Sequence, residues 1–197
     1  MATQPSRKQL THDRILQTAA RAIRRGGYGG AGVADIMQEA GLTHGGFYAH
    51  FPSRDAMLAA AVERAGQESA ERLARHQDAQ ARLGIHPLRA LVESYLSDAH
   101  LAAPERGCPV AALLSEMPRQ AAPVRDASRE RVRALMQRVR QAMPEATPEQ
   151  AHAVAGTLVG ALQMARALGG AEGKAVLSSC RQVLLNQYAH SSPHRGA

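Results

Sequence analysis

Residues 33–51 read VADIMQEAGLTHGGFYAHF. Val33, Ile36, Met37 and Ala40 fall on one stripe of a short helix, and Gly41 interrupts it. Thr43, a good N-cap residue, opens a second short helical segment that runs to about His50, and Pro52 breaks the pattern. Helix, glycine turn and helix at this size match a helix-turn-helix. Such a unit needs exposed polar side chains at the start of its second helix, and Thr43 and His44 supply them. It also needs phosphate-binding groups alongside. Tyr48, His50 and Arg54 are placed for that, and Ser53 caps a further helix whose first N–H groups are open to an anion. Gly45 and Gly46 each cost ~1 kcal/mol against Ala inside a helix. Two readings stand for them: close approach of the backbone to a groove floor, or a helix that orders only on DNA.

Upstream, Ile15, Leu16, Ala19, Ala20 and Ile23 form the stripe of a helix starting near Thr11 and stopped by Gly26-Gly27. Residues 1–9 read as a flexible basic arm carrying Arg7 and Lys8, suited to a minor groove or simply solvated. Arg21, Arg24 and Arg25 read as a solvated face. Downstream of Ser53, Met57, Leu58, Ala61, Val62 and Ala65 make a buried face, and Gly66 is a candidate kink. Further helical stripes follow around Leu88–Leu96, Val110–Met117 (stopped by Pro118) and Val132–Met143, with a loop over 102–109. Thr147-Pro148-Glu149-Gln150 is a capping-box start for a helix reaching Leu168. A last helix spans Glu172–Tyr188. No segment alternates apolar and polar residues long enough to be a strand. The expectation is an all-α protein of about nine helices. It divides into a basic arm (1–9), a helix-turn-helix domain (10–66), a second helical domain (67–190) and a disordered tail (191–197).

Of 197 residues, 24 are Lys or Arg and 17 Asp or Glu, a formal charge of +7 compatible with a polyanionic partner. Aromatics are 3% with no Trp, so the core must be aliphatic. Two cysteines exclude a disulfide scaffold and a Cys-rich zinc module. No run reaches the ~18 apolar residues of a membrane span. The first residues do not resemble a secretory signal, which leaves a soluble cytoplasmic protein as the expectation.

The stretch ILQTAARAIRRGGYGGAGVADIMQEAGLTHGGFYAHFPSRDAMLAAAV resembles the N-terminal DNA-binding domain of the TetR family of bacterial repressors. Tyr28, Asp35-Ile36, Ala40-Gly41-Leu42, Phe47-Tyr48-Ala49-His50-Phe51 and Ser53-Arg54-Asp55 carry the resemblance, over about residues 10–66. The resemblance implies a homodimer that sets two recognition helices into successive major grooves, roughly 34–36 Å apart on double-stranded operator DNA. It also implies an inducer of unknown identity that binds the C-terminal domain and releases the operator. Transferred to this chain, Thr43 and His44 face base edges beside Gly45 and Gly46. Tyr48, His50 and Arg54 take phosphates, and the helix start at Val33 completes the set. The chain departs from the family in having Gly32, without a hydroxyl, where Ser or Thr is usual.

Cys108, in Arg106-Gly107-Cys108-Pro109, stands at a loop leading into a helix. A thiol there is either a small buried hydrophobe or a reactive thiolate, and some TetR-like regulators sense electrophiles or oxidants with such a cysteine. With Tyr95, Leu113, Met117, Met136 and Met164 it makes the candidate inducer pocket. Ala153, Gly156, Thr157, Gly160, Ala161, Val176, Cys180, Val183 and Leu184 are the candidate dimer seam, where small residues permit close helix approach. No metal-ligand spacing, catalytic signature or cofactor motif is present. The alternatives are a small helical enzyme or binding module with a non-functional helix-turn-helix, or a transcriptional activator in place of a repressor.

Overall fold

The structure, a computed structural model, describes residues 5–189. Nine α-helices are present among them: α1 Arg7–Gly26, α2 Val33–Glu39, α3 Arg54–Ala81, α4 Pro87–Tyr95, α5 Asp98–Ala102, α6 Pro109–Leu113, α7 Ala122–Ala142, α8 Pro148–Leu168 and α9 Gly170–Tyr188. Short 3-10 turns cover His44–Ala49, Pro104–Arg106 and Met117–Arg119. No strand occurs among the described residues.

Four readings change. The basic arm is shorter than residue 9, because α1 starts at Arg7. Ser6 Oγ accepts from the Gln9 N–H at 3.2 Å while Gln9 Oε1 accepts from the Ser6 N–H at 2.7 Å, so two otherwise orphaned donors are satisfied reciprocally. Gly66 does not interrupt α3, a single helix of 28 residues. Pro118 does not simply stop a helix but is the second residue of the 3-10 turn Met117–Arg119. Apolar periodicity does not mark the short α5, although Ser97 caps it by accepting the His100 N–H at 3.1 Å. The tail 191–197 lies outside the described residues.

The chain forms two compact units. One comprises residues up to 69 together with 104–132; the other comprises 70–103 and 133 onward. Compactness therefore does not follow the boundary at 66. The reason is a shared core: Ile15, Ile23, Tyr28, Ile36, Met37, Phe47, Phe51, Met57, Leu58 and Val62 pack in one cluster with Leu113, Met117 and Val124.

In the second unit, α8 packs on α9 around Val154, Leu158, Leu162, Leu177 and Leu184, and α4 adds Leu88, Leu91 and Val92. His100 is half-buried here. Its Nδ1 lies 2.8 Å from the Tyr95 carbonyl, and the Arg166 guanidinium donates to the His100 carbonyl at 3.1 Å. Burial, aided by the charges of Arg166 and Arg72, pushes its imidazole down to about 4. The unfolded chain takes up a proton near pH 6.5, so between pH 6.5 and 4 it binds more protons than the folded state does. Stability is therefore lost as pH falls through this window, by about 3 kcal/mol for this group. Urea unfolding at pH 7 and pH 4.5 is expected to show this loss, and His100→Gln should remove most of the difference. A variant with an undiminished pH dependence would contradict the assignment.

Candidate nucleic-acid interface

Helix α2 starts at Gly32, which supplies no side-chain cap. A side chain here would meet the Asp35 carboxylate, 2.7 Å from the position of a Cβ. The carboxylate that folds back over the helix start thus occupies the space a Ser or Thr would need. Ile36 and Met37 anchor α2 in the core. The turn after it is closed by two bonds, Leu42 N–H to the Met37 carbonyl at 2.8 Å and Gly41 N–H to the Gln38 carbonyl at 2.9 Å. This is a Schellman motif, and it needs the left-handed φ of 68° at Gly41, which a glycine adopts without strain.

The second element differs from expectation. It is a 3-10 helix, His44–Ala49, and the Thr43 side chain makes no capping bond. Its bonds run from Gly46 N–H to the Thr43 carbonyl at 3.1 Å and from His50 N–H to the Phe47 carbonyl at 2.9 Å. Two consecutive glycines weaken any preference for the α-helical winding, which leaves the tighter form accessible.

Phe47 is the pin of this element. Its ring is buried, stacks near Phe51 at 5.8 Å and meets Tyr48 edge-on at 5.2 Å. With Phe47 inward, Thr43, His44, Gly45 and Tyr48 are left outward, and Tyr48 is 72% exposed. A Cβ on Gly45 would meet nothing within 4 Å, and one on Gly46 would touch only Met37 and Thr43 at ordinary contact distance. The chain's own packing therefore does not require either glycine.

The other predicted residues are placed differently. His50 is half-buried beside α1, its ring 6.4 Å from that of His12, which itself stacks on Phe51 at 4.7 Å. Val33 is half-buried at the start of α2. The Arg54 guanidinium is turned inward and donates to the Tyr28 carbonyl. On α1, Arg7, Lys8, Arg14 and Arg21 are exposed. Arg25 pairs with Glu39 at 2.8 Å on the surface. Arg24, read as solvated, is buried: it donates to the carbonyls of Ala20 (2.8 Å), Gly107 (3.3 Å) and Ala65 (3.5 Å) and pairs with Glu68 at 2.7 Å. Sequence periodicity could have flagged it, since Arg24 follows the buried Ala20 by one turn.

The six pocket candidates divide between the two compact units. Leu113 and Met117 belong to the helix-turn-helix core, because α6 packs on α1. Cys108 is the residue before α6 in the same unit, a thiol that is 7% exposed. Tyr95 is buried in the other unit, where Met136 is half-buried and Met164 is 52% exposed. The seam candidates divide as well. Ala153, Gly156, Thr157 and Gly160 recur at helical spacing on the open side of α8, and Val176, Cys180 and Val183 on α9 are half or fully exposed. Ala161 and Leu184 instead face inward, into the core of the chain itself, because they lie about a quarter turn or more around from the open stripe. No group of three or more His, Cys, Asp or Glu suited to a metal occurs among the described residues, and no described helix is long and apolar enough to cross a membrane.

Residues 15–61 match the family described as bacterial regulatory proteins, tetR family. Residues 84–175 match the tetracyclin repressor-like C-terminal domain. An uncharacterized HTH-type transcriptional regulator of Mycobacterium tuberculosis is 30% identical over 109 residues, 55% of this chain and 54% of its own length. The alignment thus spans about half the length of that curated relative. Among solved structures, a TetR-family transcriptional regulator from Agrobacterium tumefaciens superposes with a TM-score of 0.76 at 26% identity, over 92% of this chain and 98% of the other. Escherichia coli NemR in its reduced form shares the fold, with a TM-score of 0.76 at 21% identity over 93% and 99% of the two chains.

Proposed function

Because the chain belongs to the TetR family of bacterial regulatory proteins, we propose that it is a homodimeric, cytoplasmic DNA-binding regulator, a repressor released from its operator by a small molecule or reactive species. One observation carries the DNA-binding reading. An element pinned by a buried Phe47 holds the neighbouring Tyr48 ring out in water, in line with Thr43, His44 and a glycine that no packing in the chain requires. An exposed aromatic with a polar tip suits a wet, partly apolar partner surface, and a side-chain-free Gly45 lets the backbone approach a groove floor. Thr43 and His44 read base edges in this proposal, while Tyr48 donates a hydrogen bond to phosphate and the exposed α1 arginines neutralise it. Arg54 serves the interface from behind, through Tyr28.

The open stripe on α8 and α9 supports self-association through a four-helix seam. Cys108, sharing its compact unit with the helix-turn-helix, supports a reactive-species trigger as one form of release.

The test is a binding titration on DNA from the region upstream of the chain's own gene, against scrambled duplex. His44→Ala should cut the ratio of specific to non-specific affinity about tenfold or more, a loss of 1–3 kcal/mol of discrimination. Tyr48→Ala should weaken both duplexes alike. Wild-type affinity should fall steeply with salt. If both variants bind like the parent, the residues are misassigned; if the parent binds neither duplex at low salt, the DNA-binding reading fails.

A further inference from the structure

Tyr28 forms the turn between α1 and α2, and all three of its polar groups are held. Its N–H donates to Glu116 Oε2 at 3.0 Å. Its phenol lies 2.8 Å from Ser128 Oγ. Its carbonyl accepts from the Arg54 guanidinium. The direction of the phenol bond follows from Ser128, whose one hydroxyl proton goes to the Val124 carbonyl at 2.7 Å. The phenol is therefore the donor. Burial raises the Tyr28 pKa, in keeping with a phenol that stays protonated. The Glu116 carboxylate also lies across the turn itself: a Cβ on Gly27 would meet it.

Glu116 and Ser128 lie 88 and 100 residues downstream of Tyr28 in sequence. They come from the 104–132 segment that packs into the helix-turn-helix unit. The same segment is tied to α1 a second time, where the Gly107 carbonyl accepts from Arg24. We propose that Glu116 and Ser128 are positioning residues for DNA binding. They touch no nucleic acid, but they hold the turn that sets α2, and through α2 the outward row of Thr43, His44 and Tyr48. This rests on the DNA-binding reading above. It also gives the trigger a route: a ligand or a thiol adduct that displaces residues 107–128 loosens the Tyr28 turn without touching the DNA-facing row.

The experiment compares Glu116→Ala, Glu116→Gln and Tyr28→Phe by hydrogen–deuterium exchange over residues 27–49 and by titration on the upstream fragment. Glu116→Ala strands a buried N–H, whereas the Gln amide oxygen still accepts it, though more weakly than a carboxylate. Glu116→Ala is expected to speed exchange in 27–49 and weaken binding at least fivefold, with the preference for specific over scrambled DNA retained. Glu116→Gln should stay within about twofold of the parent. Tyr28→Phe should follow Glu116→Ala, and it carries the test alone if Glu116→Ala does not fold. Parental exchange and affinity in Glu116→Ala and Tyr28→Phe, or a Gln variant as impaired as the Ala variant, overturns the proposal. If the parent binds no DNA, the DNA-binding reading falls and the positioning proposal falls with it. If the parent binds but exchange is unmoved, only the positioning proposal is lost.

Discussion

Arg24→Ala is expected to destabilise the helix-turn-helix unit by about 3–5 kcal/mol, the cost of breaking a buried hydrogen-bonded ion pair. The Arg24 side chain has no solvent exposure and its partner Glu68 has 19%. Its removal leaves the carbonyls of Ala65 and Gly107 without this donor and opens a void among α1, α3 and the loop before α6. Glu68 is spared the worst, since Arg64 Nε still pairs with it at 3.2 Å. Arg24→Met keeps the methylene stem and should lose less than Ala. Urea unfolding followed by a probe in residues 15–62 would measure both variants. A loss below about 1 kcal/mol for Ala would show that the buried charge contributes little beyond its own desolvation.

Gly160→Glu, alone or with Gly156→Gln, is expected to break the proposed self-association through α8 and α9 and to lower operator affinity by about 10²–10⁴-fold. Two linked heads bind with an effective concentration that separate heads lack. The protomer itself should fold at least as well as before, because a Cβ at either position meets no atom within 4 Å and leaving glycine favours a helix interior by up to ~1 kcal/mol. The same face carries Met164 at 52% and Val183 at 59% exposure, apolar side chains that a single protomer leaves in water. A carboxylate placed among them would have to be desolvated at the seam. Light scattering after gel filtration gives the mass. A double variant that remains a dimer would move the seam elsewhere.

Much of the local structure around the site is legible in the sequence. Gly41 reads as a turn because only the left-handed region closes a Schellman motif, and Thr147 to Gln150 reads as a helix start because the capping box is a local exchange of two bonds. Tyr48, read among the exposed phosphate-binding candidates, is exposed beside a buried Phe47. The 3-10 winding of His44–Ala49 was not legible, since glycines permit either winding and their neighbours decide.

Arg54 shows the limit most clearly. Its place in the motif predicts a phosphate partner, whereas its guanidinium holds Tyr28 from within. Leu113 and Met117 show the same limit: a Leu–Met stripe announces burial but not which core it enters. Local bonds, caps and helical periodicity are encoded within a few residues of one another, so the chain alone determined the all-α character, most helix ends and the outward-facing row. The bonds of Arg24 to the Ala65 and Gly107 carbonyls, the grip of Glu116 and Ser128 on Tyr28, and the membership of residues 104–132 in the helix-turn-helix unit join positions 41 to 100 residues apart. No local rule specifies such pairings; they are selected by which apolar surfaces meet, and only the tertiary structure decided them.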